Sequence, residues 1–271
     1  MNSDAKVILV TGASSGIGRA TAQLAAQAGH IVYGTSRKLE MATLPGNVKP
    51  LQLDIRDNDS VIRAIDTVHS EVGRIDVLVN NAGITLFGAV EEITIDEAKA
   101  LFETNLFGLM RTTHAVLPRM RERGSGHIIN VGSIAGFLPT PFETMYGASK
   151  YAIEGYSESL SYEVGPFGIF VSIIQPGFVR TSMDKNYTEA RERLAAYTDI
   201  RAQAMETANT ATRKGADPEK VARVILRAAN SKRPKLRYLV GWDALGTRLA
   251  RSLVPPPLFA IGVRAELKKR K

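Results

Sequence analysis

The stretch that decides the architecture is "ILVTGASSGIGRATAQLA", Ile8 to Ala25. A short apolar run of strand type leads into Gly12, Gly16 and Gly18, and these into a helix-patterned segment. Glycines in that context meet three needs: a tight turn, close approach of the backbone to a phosphate, and close packing of a helix on a sheet. The helix start then offers free N–H groups and the positive end of its dipole to an anion. The expectation is a strand, a phosphate-binding loop that includes Ser14, Ser15 and Ile17, and a helix. The spacing departs from G-x-G-x-x-G, and a Walker loop does not fit, because Arg19 follows the last glycine where Lys-Ser/Thr is needed.

Outward from this unit, apolar runs near residues 6–11, 30–35, 48–54, 75–80, 127–132, 169–174 and 236–240 alternate with longer helix-patterned segments. That alternation predicts an α/β fold, a doubly wound seven-stranded parallel sheet with helices on both faces. Gly29 reads as a helix C-terminal glycine, Gly165 with Pro166 as the stop of the helix that holds Tyr146, and Asp217 with Pro218 as a helix start. There is no internal repeat and no linker before about residue 242, so the expectation is one domain over 1–241 and a basic C-terminal helical extension over 242–271.

The chain has 271 residues, 44% of them hydrophobic, enough for a packed core. It contains no cysteine, which excludes disulfides, thiolate metal sites and a cysteine nucleophile and suits a reducing, cytoplasmic setting. The four histidines show no metal-ligand spacing, so no metal is expected. The N-terminus lacks an apolar signal core, and the apolar run Leu253–Val263 is broken by three prolines. The net charge of +8 is concentrated: residues 231–271 hold eleven Lys and Arg against two acids, Asp243 and Glu266. With apolar residues at helical spacing, this tail could dock on the domain, cover a subunit surface, rest on anionic lipid or lie free in solvent. No recognition motif accompanies the charge, so nucleic acid is not an expected partner.

A second motif is "MYGASKYAIEG", Met145 to Gly155, in which Tyr146 precedes Lys150 by one helical turn. An ammonium beside a phenol favours its ionisation, and a tuned phenol can give a proton to a carbonyl oxygen or take one from an alcohol. Ser133, at the end of an expected central strand, could orient the same oxygen. At the end of the second strand, Thr35, Ser36, Arg37 and Lys38 stand where an acid would hold a ribose 2′-hydroxyl, which suits a 2′-phosphate and so NADP.

With these pieces in order the sequence resembles the short-chain dehydrogenase/reductase family, of the NADP-preferring type: "TGASSGIG" (11–18), Asp54 in "LDI", "NNAG" (80–83), Asn105 in "ETNLFG", Ser133, "YGASK" (146–150) and "PGFVRT" (176–181). The resemblance covers most of residues 6–241 and implies a Rossmann-like sheet. It implies catalysis by Ser133, Tyr146 and Lys150, with Asn105 holding a water that links Lys150 to solvent. It places Asp54 and Ile55 at the adenine, Asn81, Ala82 and Gly83 along the middle of the cofactor, and Pro176, Gly177, Val179 and Thr181 around the nicotinamide. By residue type alone, Asn80 and Asn81 read as a polar turn and Asn105 as a polar residue within a helix.

Together these readings predict an NADP(H)-dependent oxidoreductase interconverting a carbonyl and a secondary alcohol. Phe137, Leu138, Phe142, Met145 and Phe178 surround the expected substrate position and suit a hydrophobic molecule, whether steroid, retinoid, acyl chain or aromatic ketone. A helix-like segment, "TEARERLAAYTDIRAQAMETA" (188–208), reads as the core of a lid spanning about 180–212. A 3-oxoacyl-type reductase and a non-catalytic NADPH-binding regulator are the alternatives. The resemblance further implies a homodimer or homotetramer joined through the helices that carry Asn105 and Tyr146.

Overall fold

The computed structural model describes residues 5–39, 44, 46–138, 140–181 and 188–268. The chain opens with β1 (Val7–Val10), α1 (Gly16–Gln27), β2 (Ile31–Ser36), β3 (Lys49–Gln52), α2 (Asn58–Val72) and β4 (Val77–Asn80). The two-residue β5 (Leu86–Phe87) precedes α3 (Ile95–Phe102), a π-turn over Glu103–Phe107, α4 (Gly108–Arg123) and β6 (Gly126–Val131). Then come α5 (Thr144–Val164), β7 (Ile169–Pro176), β8 (Thr188–Glu189), α6 (Thr198–Arg213), α7 (Pro218–Asn230) and β9 (Arg237–Val240). Two further helices, α8 (Trp242–Leu253) and α9 (Pro256–Lys268), close the chain.

Seven strands form one parallel sheet in the order β3-β2-β1-β4-β6-β7-β9. All seven strands read from the sequence are present, with boundaries within two residues. The order reverses beside β1, and at such a switch point a crevice opens at the carboxyl ends of the strands. The central strands β1, β4, β6 and β7 are buried along most of their length because both faces are covered, whereas the edge strand β3 buries only Leu51. Val7, Leu9 and Leu78 pack under α2, α4 and α5 with Val61, Ile65, Met120 and Leu160. Ile8, Val10 and Val79 pack on the other side with Ala22 and Ala25 of α1 and Val221 and Ile225 of α7.

Asp217 caps α7 as expected, accepting the Glu219 N–H at 2.9 Å. Helix α5 ends at Val164, before Gly165 and Pro166 as expected, and the chain reverses at Gly168, where φ is +70°. One expectation is corrected. The segment 188–208 is not helical throughout. Its start pairs as β8 with β5, and regular α-helix begins only at Thr198. The cause is local: the Arg191 and Leu194 N–H groups bond to the carboxylates of Glu97 and Glu92, at 3.0 and 2.8 Å, instead of to carbonyls one turn back. Residues 182–187 of the expected lid lie outside the described residues.

Candidate active site

The glycine loop has the geometry its sequence requires. Gly12 and Gly16 adopt φ of +66° and +53°, where an L side chain is strained, and a Cβ at Gly18 would lie 2.3 Å from the Gly12 carbonyl oxygen. The loop is joined to the segment after β4: Asn81 Nδ2 donates to the Thr11 and Gly12 carbonyls at 2.9 and 3.2 Å, and the Asn81 and Ala82 N–H groups donate to Thr11 Oγ1. Gly83 sits against Asn105 Oδ1. Ser15 caps α1 without a side-chain hydrogen bond, and the first turn holds no acid. The first-turn N–H groups are therefore not claimed by a cap, and the dipole is not neutralised, so this cradle fits a pyrophosphate.

Beside the loop, Thr35 is buried; its carbonyl accepts the Ala13 N–H at 2.8 Å and its hydroxyl the Gly12 N–H at 3.3 Å. Thr35 thus props the loop from beneath, which corrects the expectation that it offers a hydroxyl to a 2′-phosphate. Ser36 Oγ closes a local turn with the Lys38 backbone. Arg37 and Lys38 are exposed and form no ion pair among the described residues. Asp54 is clasped by Arg56 (Nη2–Oδ2 2.6 Å), and those hydrogen bonds hold its carboxyl below the usual range. Ile55 is buried with its side chain against Gly108 at the start of α4.

Ser133 follows β6 at the carboxyl edge of the sheet. Its Oγ accepts the Ala135 N–H at 3.1 Å, which leaves its own proton to donate. Tyr146 lies in the first turn of α5, and Lys150 Nζ stands 5.6 Å from its ring centroid. Lys150 is buried and donates to the Val131 carbonyl at 3.0 Å. Burial lowers its pKa to about 8, opposed by the charge of Glu154 one turn on, so at neutral pH the ammonium form still prevails.

Asn105 occupies the π-turn, a feature that often marks functional sites. Its amide pairs with both backbone groups of Ile84, at 2.8 and 2.9 Å, and donates to Ser149 Oγ at 3.2 Å. Ser149 in turn donates to the Tyr146 carbonyl at 2.7 Å. Asn105 therefore couples the start of α5 to the segment after β4. Asn80 is a strand residue rather than part of a turn: buried at the end of β4, it bonds to Thr112, Thr113 and Asn130.

The segment 176–181 is held from three sides. Gly177 N–H donates to the Val240 carbonyl (3.0 Å), Phe178 N–H to Asp243 Oδ2 (2.7 Å) and Arg180 N–H to the Ala216 carbonyl (2.9 Å). Val179 bridges to Ala216, and a Cβ at Gly16 would meet Thr181 Cγ2 at 3.2 Å, so the segment reaches the glycine loop. Pro176 is buried at the end of β7. A Cβ at Gly177 would fall 2.0 Å from the Asp243 carboxylate, so the tether requires glycine there. Sequence reasoning missed Asp243; its only signal is an acid two residues after Gly241, in the first turn of a helix.

The five apolar residues expected around a substrate fall into three groups. Phe137, Leu138 and Phe178 pack with Ile134 and with Ala244 of α8. Phe142 stacks on Phe87 at 5.7 Å and meets Tyr197 and, in α6, Ala204. Met145 and Tyr146 pack beside Leu86, Ile93 and Ala190. A second residue that the sequence did not reveal is Glu92, 1% exposed, which accepts the Ala89 and Leu194 N–H groups and pairs with Arg201 of α6. Burial opposes its ionisation, but these donors outweigh it and hold the carboxyl below its ordinary range. It ties Leu194 and α6 to the segment before α3.

Comparison with known proteins agrees with this geometry. The family model described as short chain dehydrogenase matches residues 6–192. A 3-ketodihydrosphingosine reductase of Bacteroides thetaiotaomicron is 41% identical over 87% of this chain and 88% of its own length. Human 17-beta-hydroxysteroid dehydrogenase type 1 is 38% identical over 86% of this chain and 76% of its own. A solved short-chain dehydrogenase from Streptomyces avermitilis superposes with a TM-score of 0.81 at 39% identity, covering 99% of this chain and 97% of that one. Nicotinamide complexes are among the similar structures: a Burkholderia cenocepacia enzyme with NADP (TM-score 0.76, 25% identity, 96% and 98% of the two chains) and a Burkholderia phymatum enzyme with NAD (0.79, 26%, 93% and 95%).

Proposed function

This chain is an oxidoreductase of the short-chain dehydrogenase family, and from that membership we propose that it uses NADP(H) to interconvert a carbonyl and a secondary alcohol on a hydrophobic substrate. The observation that carries the reading is Lys150, a buried ammonium one helical turn beyond Tyr146 and held by the Val131 carbonyl, on the same sheet edge as Ser133. The cradle of Gly12, Gly16 and Gly18, the Asn81–Gly83 segment and the 176–181 segment would hold the nucleotide. When bound, the nicotinamide supplies or accepts the hydride.

The remaining chemistry belongs to the chain. Ser133 donates its free proton to the substrate oxygen and orients it. Tyr146 delivers a proton to that oxygen in reduction and removes it in oxidation. The Lys150 charge keeps the phenol acidic enough to do both. In this reading Asn105 positions α5 and holds a water in the proton path. Exposed Arg37 and Lys38 support a 2′-phosphate and hence NADP over NAD. The apolar groups around Tyr146 support a bulky apolar substrate, in keeping with the printed names of the sphingoid and steroid relatives. A cytoplasmic homodimer or homotetramer, joined on the α3–α5 face, completes the reading; Ile95, Phe102 and Phe107 line a shallow apolar depression there.

The test is NADPH oxidation against a panel of hydrophobic ketones and aldehydes, with NADH in parallel. Wild type should turn over at least one with NADPH, and Tyr146→Phe should lose about 100-fold or more of kcat, the scale of removing a general acid. Tight NADPH binding without turnover on any ketone would argue against it.

A further inference from the structure

Helix α8 is amphipathic in the wrong sense for a helix packed on a domain. Trp242, Leu245, Leu249 and Leu253 are 83%, 49%, 58% and 72% exposed. Their spacing of three, four and four residues sets them on one stripe, an arc of about 80° at 100° per residue. The opposite side faces the protein: Ala244 is fully buried, and the Arg248 guanidinium lies 5.1 Å over the Phe137 ring. An ordinary surface helix turns its large apolar side chains inward. Here the small Ala244 faces in and the large apolar residues face out, while Arg248 reaches over Phe137 and stays exposed itself. In α9, Leu258 and Ile261 are each 59% exposed as well.

What could cover such a stripe is indicated by charge. Residues 242–271 carry seven Lys and Arg against two acids, so two copies brought face to face would set cationic helices against each other. An anionic surface would be attracted instead. No helix among the described residues is long and apolar enough to cross a bilayer, which leaves a helix lying in the plane of the interface. Apolar insertion plus a cationic segment is the pair of signals that peripheral docking needs, and a tryptophan at the rim suits the headgroup region. We propose that α8 and α9 dock this protein on an anionic lipid surface through the Trp242–Leu253 stripe. Because α8 packs on the turn that follows Ser133 and α9 meets α6, docking sets the Ser133 side of the protein toward the lipid. The docking itself does not depend on the proposed reductase activity.

Trp242 is the chain's only tryptophan, so its fluorescence reports the stripe directly. The full chain is mixed with phosphatidylcholine vesicles, with and without phosphatidylglycerol, at low and high salt, and the vesicles are sedimented. The expected result is a blue shift and co-sedimentation with the anionic vesicles, both weakened by salt. Leu245→Ser/Leu249→Ser should lower partitioning by about tenfold or more while leaving circular dichroism unchanged. Absence of a shift with anionic vesicles at low salt would overturn the proposal, as would a double variant that binds like wild type. A vesicle-free dimer whose Trp242 is already shielded, and which the double variant dissolves, would also overturn it and assign the stripe to self-association.

Discussion

Lys150 carries a charge in a place that disfavours it. Its pKa falls from 10.5 to about 8 by burial, with Glu154 pulling the other way. The sign follows from linkage: a base whose folded pKa is depressed gains stability above its unfolded pKa and loses it as pH falls through the folded one. At pH 7 the buried ammonium is therefore a standing cost. Lys150→Met should abolish turnover yet raise unfolding free energy by about 1–2 kcal/mol at pH 7, less than the full shift implies because the Val131 carbonyl loses its donor. The gain should shrink as pH rises from 8 toward 10.5. Urea denaturation at pH 7 and at about pH 10 checks this; a variant less stable than wild type at both would show that the hydrogen bond outweighs the burial.

Among elements, the segment 176–181 depends on a residue from the far end of the chain. Asp243 accepts the Phe178 N–H at 2.7 Å from the first turn of α8. Asp243→Ala should raise the KM for NADPH about tenfold, the scale of losing one hydrogen bond to a charged acceptor, with a small drop in melting temperature. Asp243→Asn keeps an acceptor oxygen and should recover most of the loss. An unchanged KM in the alanine variant would show that Val240 and Ala216 hold the segment unaided. The strands, the glycine loop and the Tyr146–Lys150 helix were legible because each is specified by neighbours within one turn or one pleat. Asp243 and Glu92 were not, because their bonds to Phe178 and Leu194 span 65 and 102 positions, and periodicity carries no trace of such a contact. The start of the segment 188–208 was misread as helical for the same reason: Glu92 and Glu97, remote in sequence, take the N–H groups that a helix would have used.

For the whole molecule, the seven parallel strands with helices on both faces were legible from alternation, whereas their order and the way α8 turns its apolar stripe were not. Helical spacing in Trp242–Leu253 predicts a stripe but not the direction it faces, which is set by Ala244 fitting against Ile134 and Phe137. Another apolar surface has Ile95 70% and Phe107 44% exposed on α3 and the π-turn. If subunits associate there, Phe107→Glu should convert the oligomer to monomer in light scattering, because an unpaired carboxylate would be desolvated at each interface. A wild type that is itself monomeric would sink that arrangement.

The three-sided clamp on residues 176–181 has a consequence in time rather than in energy. Its N–H groups are bonded to β9, to Ala216 and to Asp243, so the chain's own contacts specify the shape of this wall. On the proposed reading, a nucleotide would meet on this side a surface whose shape is specified by the protein itself. On the same reading, any opening that governs its arrival or departure would fall to α6, which is fastened separately by the Glu92–Arg201 pair.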